Sequence, residues 1–136
     1  MITRVCLYLC LEMNLLPKHG TDFAKKDYWK EFFDKRKDPF EWYGTYFELA
    51  YVLNRYVKQQ DEILMVGCGN SELSDELYSH NGCKLITNID ISDNVIGRMK
   101  KKAEENGRSM IYEVGDVTDM KYSDGSFNCV IGKYIS

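Results

Sequence analysis

The chain has 136 residues, of which 44% are hydrophobic, 29% charged and only 2 proline. That is room for one packed domain, short for a complete cofactor-dependent α/β enzyme, and it excludes a disordered or low-complexity polymer. A net charge of -3 argues against a general nucleic-acid binder, which would carry a basic excess. No run approaches the roughly 20 apolar residues that span a bilayer.

Its 5 cysteines form no CxxC pair and no Cys/His cluster, so they read as reduced thiols of a cytoplasmic protein with no bound metal. The opening MITRVCLYLCLE lacks the long apolar core and small-residue cleavage site of a signal peptide. Residues 1–12 are expected to be a frayed leader without a defined element.

Asn14 to Lys26 is polar, broken by Pro17 and Gly20, and reads as loop. From Asp27 to Lys37, Tyr28, Trp29, Phe32 and Phe33 fall on one side of a predicted helix. Asp38-Pro39 stops it, because the residue before a proline is pushed out of helical geometry. The aromatic loop Phe40 to Gly44 follows. A second helix over Tyr46 to Lys58 would then bury Leu49, Leu53, Tyr56 and Val57. Trp29 and Trp42 sit in polar segments, where a wide ring can pack a helical layer or close over a ligand.

Ile63 to Val66 is a branched, apolar run that breaks into Gly67-Cys68-Gly69-Asn70, a strand followed by a tight turn. A helix from about Ser71 to Ser79 buries Leu73 and Leu77 and ends at Asn81-Gly82. Lys84 to Ile91 is the next strand, and Ser92 can cap a helix whose inner face is Val95, Ile96, Met99 and Ala103. Ser109 to Val114 and Phe127 to Ile131 complete four strands alternating with crossovers. This is the pattern of an α/β fold, a parallel sheet with helices on both faces.

Ligands of such sheets sit beyond the carboxyl ends of the strands, where strand order reverses. Gly67 to Asn70, Asp90, Asp116 and Lys133 all fall at those ends. Asp90 lies 21 residues after Gly69, near the spacing at which an acid accepts hydrogen bonds from ribose hydroxyls. Asp116, at the matching end of the third strand, can read an adenine edge. Either acid could instead be a turn or cap carboxylate. A dinucleotide loop would read G-x-G-x-x-G, but Glu72 holds the third glycine position. A carboxylate there would repel a pyrophosphate, whereas S-adenosylmethionine has no phosphate and carries a sulfonium and an ammonium group.

Tyr28-Trp29, FEWYGTYFEL from Phe40, VGCGNSELS from Val66, NIDIS from Asn88, GDVTDM from Gly115 and DGSFNCVIGK from Asp124 resemble the class I methyltransferase domain of the methyltransferase-like 13 family. Members of that family are elongation factor 1-alpha lysine and N-terminal methyltransferases. The likeness runs from about Met13 to Lys133. It implies a Rossmann-like sheet of which this chain holds the first four parallel strands, preceded by aromatic helices. It implies S-adenosyl-L-methionine as cofactor and an elongation factor 1-alpha-like protein as substrate, with no nucleic acid or membrane partner.

By the same resemblance, Gly67 and Gly69 approach the cofactor, Asp90 with Ile91 contacts ribose and adenine, and Asp116 with Val117 reads the adenine edge. Lys133 is the lysine after the fourth strand, and Trp29, Phe33 and Trp42 are the aromatic positions of the N-terminal segment. The resemblance names no catalytic nucleophile or general base. The chain departs from the family at Gly132, where an acid stands before the lysine, and at its end, five residues past Ile131. Later strands and most of the acceptor pocket are expected to be absent, which sets a non-catalytic cofactor- or partner-binding fragment beside the enzyme, with an NAD-dependent oxidoreductase as a lesser alternative. The fourth strand is expected to be an open edge unless something covers it.

Overall fold

The computed structural model describes residues 4–6, 21, 25–39, 41 and 44–132. Five parallel strands form its single sheet: β1 (Arg4–Cys6), β2 (Ile63–Val66), β3 (Ile86–Asp90), β4 (Ile111–Val114) and β5 (Cys129–Gly132), in the order β1-β5-β2-β3-β4. Among the described residues four α-helices accompany them: α1 (Lys26–Lys35), α2 (Tyr46–Tyr56), α3 (Leu73–His80) and α4 (Asp93–Glu105).

All four residues of β2 are buried, as expected of a central parallel strand covered on both faces. It pairs with β3 through Ile63 opposite Ile86 and Val66 opposite Ile89, and with β5 through Ile63 opposite Cys129 and Val66 opposite Gly132. The path β2, α3, β3, α4, β4 moves outward along the sheet, and β5 then returns to the other side of β2. Strand order therefore reverses between β2 and β5, and the crevice at their carboxyl ends is where such sheets receive ligands.

The helices follow their sequence signals. In α1 the buried residues are Trp29 and Phe33, with Tyr28 and Phe32 half-buried beside them. Glu48 reaches back to the Thr45 N–H at 2.7 Å and caps the start of α2. Leu73 and Leu77 of α3 are buried, and so are Val95, Ile96, Met99 and Ala103 of α4, as their spacing predicts. Side chains from all four helices join Ile63, Met65, Ile86, Tyr112, Cys129 and Ile131 in one core.

Four expectations need correction. Helices were expected on both faces, but all four pack into the core on one side. On the other side Leu64, Val66 and Ile89 are covered by Tyr122, Phe127 and Val130, residues of the connection into β5 and of β5 itself, because the described chain has no α-helix after β4. The leader is not without structure, since Arg4–Cys6 adds to β5 as a parallel strand and covers the edge that would otherwise be open. Tyr56 is not a core residue; it is exposed beside the Arg55 guanidinium, because α2 ends there and the chain turns away. Ser92 precedes α4, but its hydroxyl donates to Asn94 and makes no cap bond to the helix backbone.

Candidate functional site

The turn after β2 carries Gly67 at φ 65° and Gly69 at φ 49°, the left-handed region that a residue with a Cβ enters only at a cost. Two bonds fasten this turn to β3. Cys68 N–H donates to the Ile89 carbonyl at 3.1 Å, and Gly69 N–H donates to Asp90 Oδ2 at 2.9 Å. The other oxygen of Asp90 accepts from Ser92 N–H at 2.9 Å. Burial pushes the Asp90 carboxyl above its ordinary range, against the pull of those backbone N–H donors. Asp90 is thus the strut that holds the glycine turn and the start of α4 together.

Asp116 stands one residue beyond Gly115, whose N–H donates to the Asp90 carbonyl at 3.0 Å. Its carboxylate accepts from Thr118 N–H at 2.9 Å and Thr118 Oγ1 at 2.7 Å, capping the 3-10 turn Val117–Asp119. Those bonds hold its carboxyl below the ordinary range. Asp116 and Val117 are exposed, and Ile91 is half-buried against the helical core.

An N-terminal arm, made of α1, Arg36 to Pro39 and Glu41, meets the glycine turn. Phe33 packs onto Gly69, and the Phe33 carbonyl accepts from Arg98 Nη2 at 2.8 Å. Asn70 Nδ2 donates to the Asp38 carbonyl at 2.8 Å. Glu41 accepts from the Ser71 hydroxyl at 2.7 and 2.8 Å and from Glu72 N–H at 2.8 Å. Trp29 is buried in the helical core, with Tyr28 and Phe32 set edge-on to it at 5.1 and 5.5 Å.

The structure therefore brings Phe33, Gly67, Gly69 and Asp90 together, with Asp116 and Val117 at the next strand end. Trp42 and Lys133 lie outside the described residues. The reason given for refusing a pyrophosphate also changes. Glu72 does not meet the turn as a bare charge; its carboxylate pairs with Lys102 Nζ of α4 at 3.1 Å. The carboxylate that accepts from the backbone at the head of α3 is that of Glu41. Sequence reasoning missed it because FEWYG reads as a block of aromatics, and an acid inside such a block was the available signal.

Among the described residues no group of three or more His, Cys, Asp or Glu could hold a metal, and no helix is long and apolar enough to cross a membrane. Cys68, Cys83 and Cys129 are buried in the sheet and its helical core. A groove of about 240 Å³ bounded by Glu62, Lys84, Ile86, Ser109 and Phe127 lies at the amino end of β3, the opposite end of the sheet from the glycine turn.

A glycine turn at the switch point of a parallel sheet, with acids at two neighbouring strand ends, is the arrangement of the Rossmann-like α/β class. The chain belongs to the methyltransferase domain family, whose model matches residues 63–135. It is 48% identical over 122 residues to the eEF1A lysine and N-terminal methyltransferases of Bos taurus and Homo sapiens, covering 89% of this chain and 17% of each relative. It is 31% identical over 120 residues to the EEF1A lysine methyltransferase 4 of Mus musculus, covering 87% of this chain and 46% of that one. The chain thus spans less than half the length of these curated relatives. Among solved structures it resembles the PH0226 protein of Pyrococcus horikoshii OT3, with TM-score 0.56 and 25% identity over 62% of this chain and 39% of that one. It also shares a fold with the [4+2]-cyclase SpnF, at TM-score 0.57 and 23% identity over 67% of this chain and 35% of the other.

Proposed function

We propose that this chain forms the cofactor-binding part of an S-adenosylmethionine-dependent protein methyltransferase acting in the cytoplasm on a lysine or N-terminal amine of an elongation factor 1-alpha-like substrate. The observation that carries the reading is the set of three strand ends: the glycine turn after β2, fixed by Asp90 at the end of β3, with Asp116 at the end of β4. The residues fit the group. Two carboxylates suit ribose hydroxyls and an adenine amine, and the acids around α3 suit a ligand that carries positive charge.

When bound, S-adenosylmethionine supplies a methyl group on a sulfonium, ready for transfer to an amine. The chain's own part is binding and orientation. Asp90 keeps the turn in place, Asp116 and Val117 meet the nucleoside end, and Phe33 with its arm excludes water from the turn. Such a transfer needs no enzyme nucleophile.

Calorimetric titration of the chain with S-adenosylmethionine, followed by assay of labelled methyl transfer to an elongation factor 1-alpha, tests the reading. Heat together with label on the factor supports it in full. Heat without label leaves the non-catalytic cofactor-binding fragment. Heat with NAD and none with S-adenosylmethionine would restore the oxidoreductase.

A further inference from the structure

The first N–H groups of a helix form a natural seat for a phosphate oxygen. In this chain that seat is already taken. Glu41 Oε1 accepts from Glu72 N–H at 2.8 Å and from Ser71 Oγ at 2.8 Å, and Oε2 takes the Ser71 hydroxyl at 2.7 Å. Ser71 Oγ in turn accepts from Leu73 N–H at 3.0 Å. The two N–H groups that open α3 are thus satisfied directly or through one hydroxyl by a carboxylate from the arm 30 residues earlier.

We infer that Glu41 is the specificity-determining residue of the cofactor site: its carboxylate fills the anion seat at the head of α3 and makes the turn refuse phosphate-bearing nucleotides while admitting a cationic, phosphate-free one. The inference rests on the nucleoside-cofactor reading above and names what selects within it. A phosphate oxygen bonding Glu72 N–H would have to stand where Glu41 Oε1 stands, with like charges in contact. An ammonium or sulfonium meets attraction from the same group. The Glu72 carboxylate does not occupy this seat; it is turned to Lys102 Nζ at 3.1 Å. The surroundings add to the effect: Glu76, one turn into α3, has its carboxyl raised first by desolvation, with the charges of Glu41 and Glu72 adding to it. The residue also positions the arm, since it and the bond from Asn70 to the Asp38 carbonyl tie Glu41 and Asp38 to the turn.

Two substitutions separate charge from position. E41Q keeps the size of the side chain and a carbonyl for Glu72 N–H but removes the charge, while S71A removes a hydroxyl and keeps the charge. S-adenosylhomocysteine and ADP are titrated calorimetrically into the wild type and both variants. E41Q is expected to shift the affinity ratio toward ADP by about tenfold or more, the scale of one charge-assisted contact. S71A should hold the ratio within about twofold, the scale of thermal energy. An unchanged ratio in E41Q, or an equal shift in S71A, would overturn the inference.

If S-adenosylhomocysteine binds to none of them, the proposed function fails, and the ADP arm still decides the role of Glu41: a gain in E41Q over wild type supports it and no gain overturns it. The wild type carries a further test that needs no variant. Its Glu72 amide should exchange slowly with solvent, and added pyrophosphate should not slow it more. Slowing by pyrophosphate would mean that the seat is free for phosphate and would overturn the inference.

Discussion

The ring of Phe33 stands on the open side of Gly69: a Cβ built on that glycine would lie 2.6 Å from Phe33 Cζ and 3.0 Å from Cε1. The glycine serves two needs at once, a left-handed φ of 49° and the close approach of an aromatic ring from α1. Gly69→Ala therefore carries two costs, about 1–2 kcal/mol for the left-handed backbone and about 1–3 kcal/mol for overpacking against the ring. Urea unfolding should show their sum. Phe33→Ala removes only the second, so the double variant should lose less than the two single losses added together. Strict additivity would mean that the ring and the glycine do not press on each other.

That relationship shows where the sequence was legible and where it was not. Strand β2, the turn at Gly67 and Gly69, and the buried faces of α3 and α4 follow from local pattern, since burial on a known period needs no partner to be identified. What sits on the turn does not follow locally. Phe33 reaches Gly69 across 36 residues and Glu41 reaches Ser71 across 30, and nothing in either segment alone names its partner. The resemblance implies a place for Phe33 in the site, and the structure sets its ring on Gly69, while the strand Arg4–Cys6 had no periodicity to announce it and pairs with the edge that β5 offers.

Asp90 and Asp116 lie at neighbouring strand ends, but their surroundings push their carboxyls in opposite directions. Burial raises Asp90 from the ordinary 3.8, so its contribution to stability is fully present below that value and is lost as pH rises through the higher folded value. The Thr118 bonds lower Asp116 from the same 3.8, so its contribution is present above that value and is lost as pH falls through the lower folded one. The stability advantage of wild type over Asp90→Asn should grow on acidification toward pH 4, roughly the ordinary carboxyl range. Against Asp116→Asn it should shrink as pH drops below that range. Side-chain carboxyl shifts followed by NMR across the titration check the order directly; Asp90 titrating below Asp116 would refute it.

Asn88 is fully buried in β3. Its Oδ1 accepts from the Ser74 hydroxyl of α3, and its Nδ2 donates to the Ile111 carbonyl of β4 at 3.1 Å. One side chain therefore joins a helix and two strands beneath the glycine turn. Asn88→Val strands the buried Ser74 hydroxyl and should cost about 1–3 kcal/mol. Adding Ser74→Ala to it should recover part of that loss, because removing both partners leaves no orphaned group. Denaturant midpoints of the two single variants and the double variant read this, and a double variant weaker than Asn88→Val would show that the hydroxyl is not the source of the cost.

The pairing of β1 with β5 sets the last expectation. An edge strand offers a row of unpaired N–H and C=O groups to any passing chain, and among the described residues it is Arg4–Cys6 that covers β5, pairing at Arg4 with Cys129 and at Cys6 with Val130 across an irregular register. The strand is short and its ladder broken, so it should detach more readily than β2, which pairs residue for residue with β5 from Ile63 to Val66. Removing residues 1–12 should speed amide exchange in Cys129–Gly132 on the side facing β1 and leave exchange in β3 unchanged. It should also raise the mass seen by light scattering as concentration increases, because bared β5 edges pair between molecules. Unchanged exchange in β5, together with a mass that stays constant, would show that the edge is protected by something other than β1.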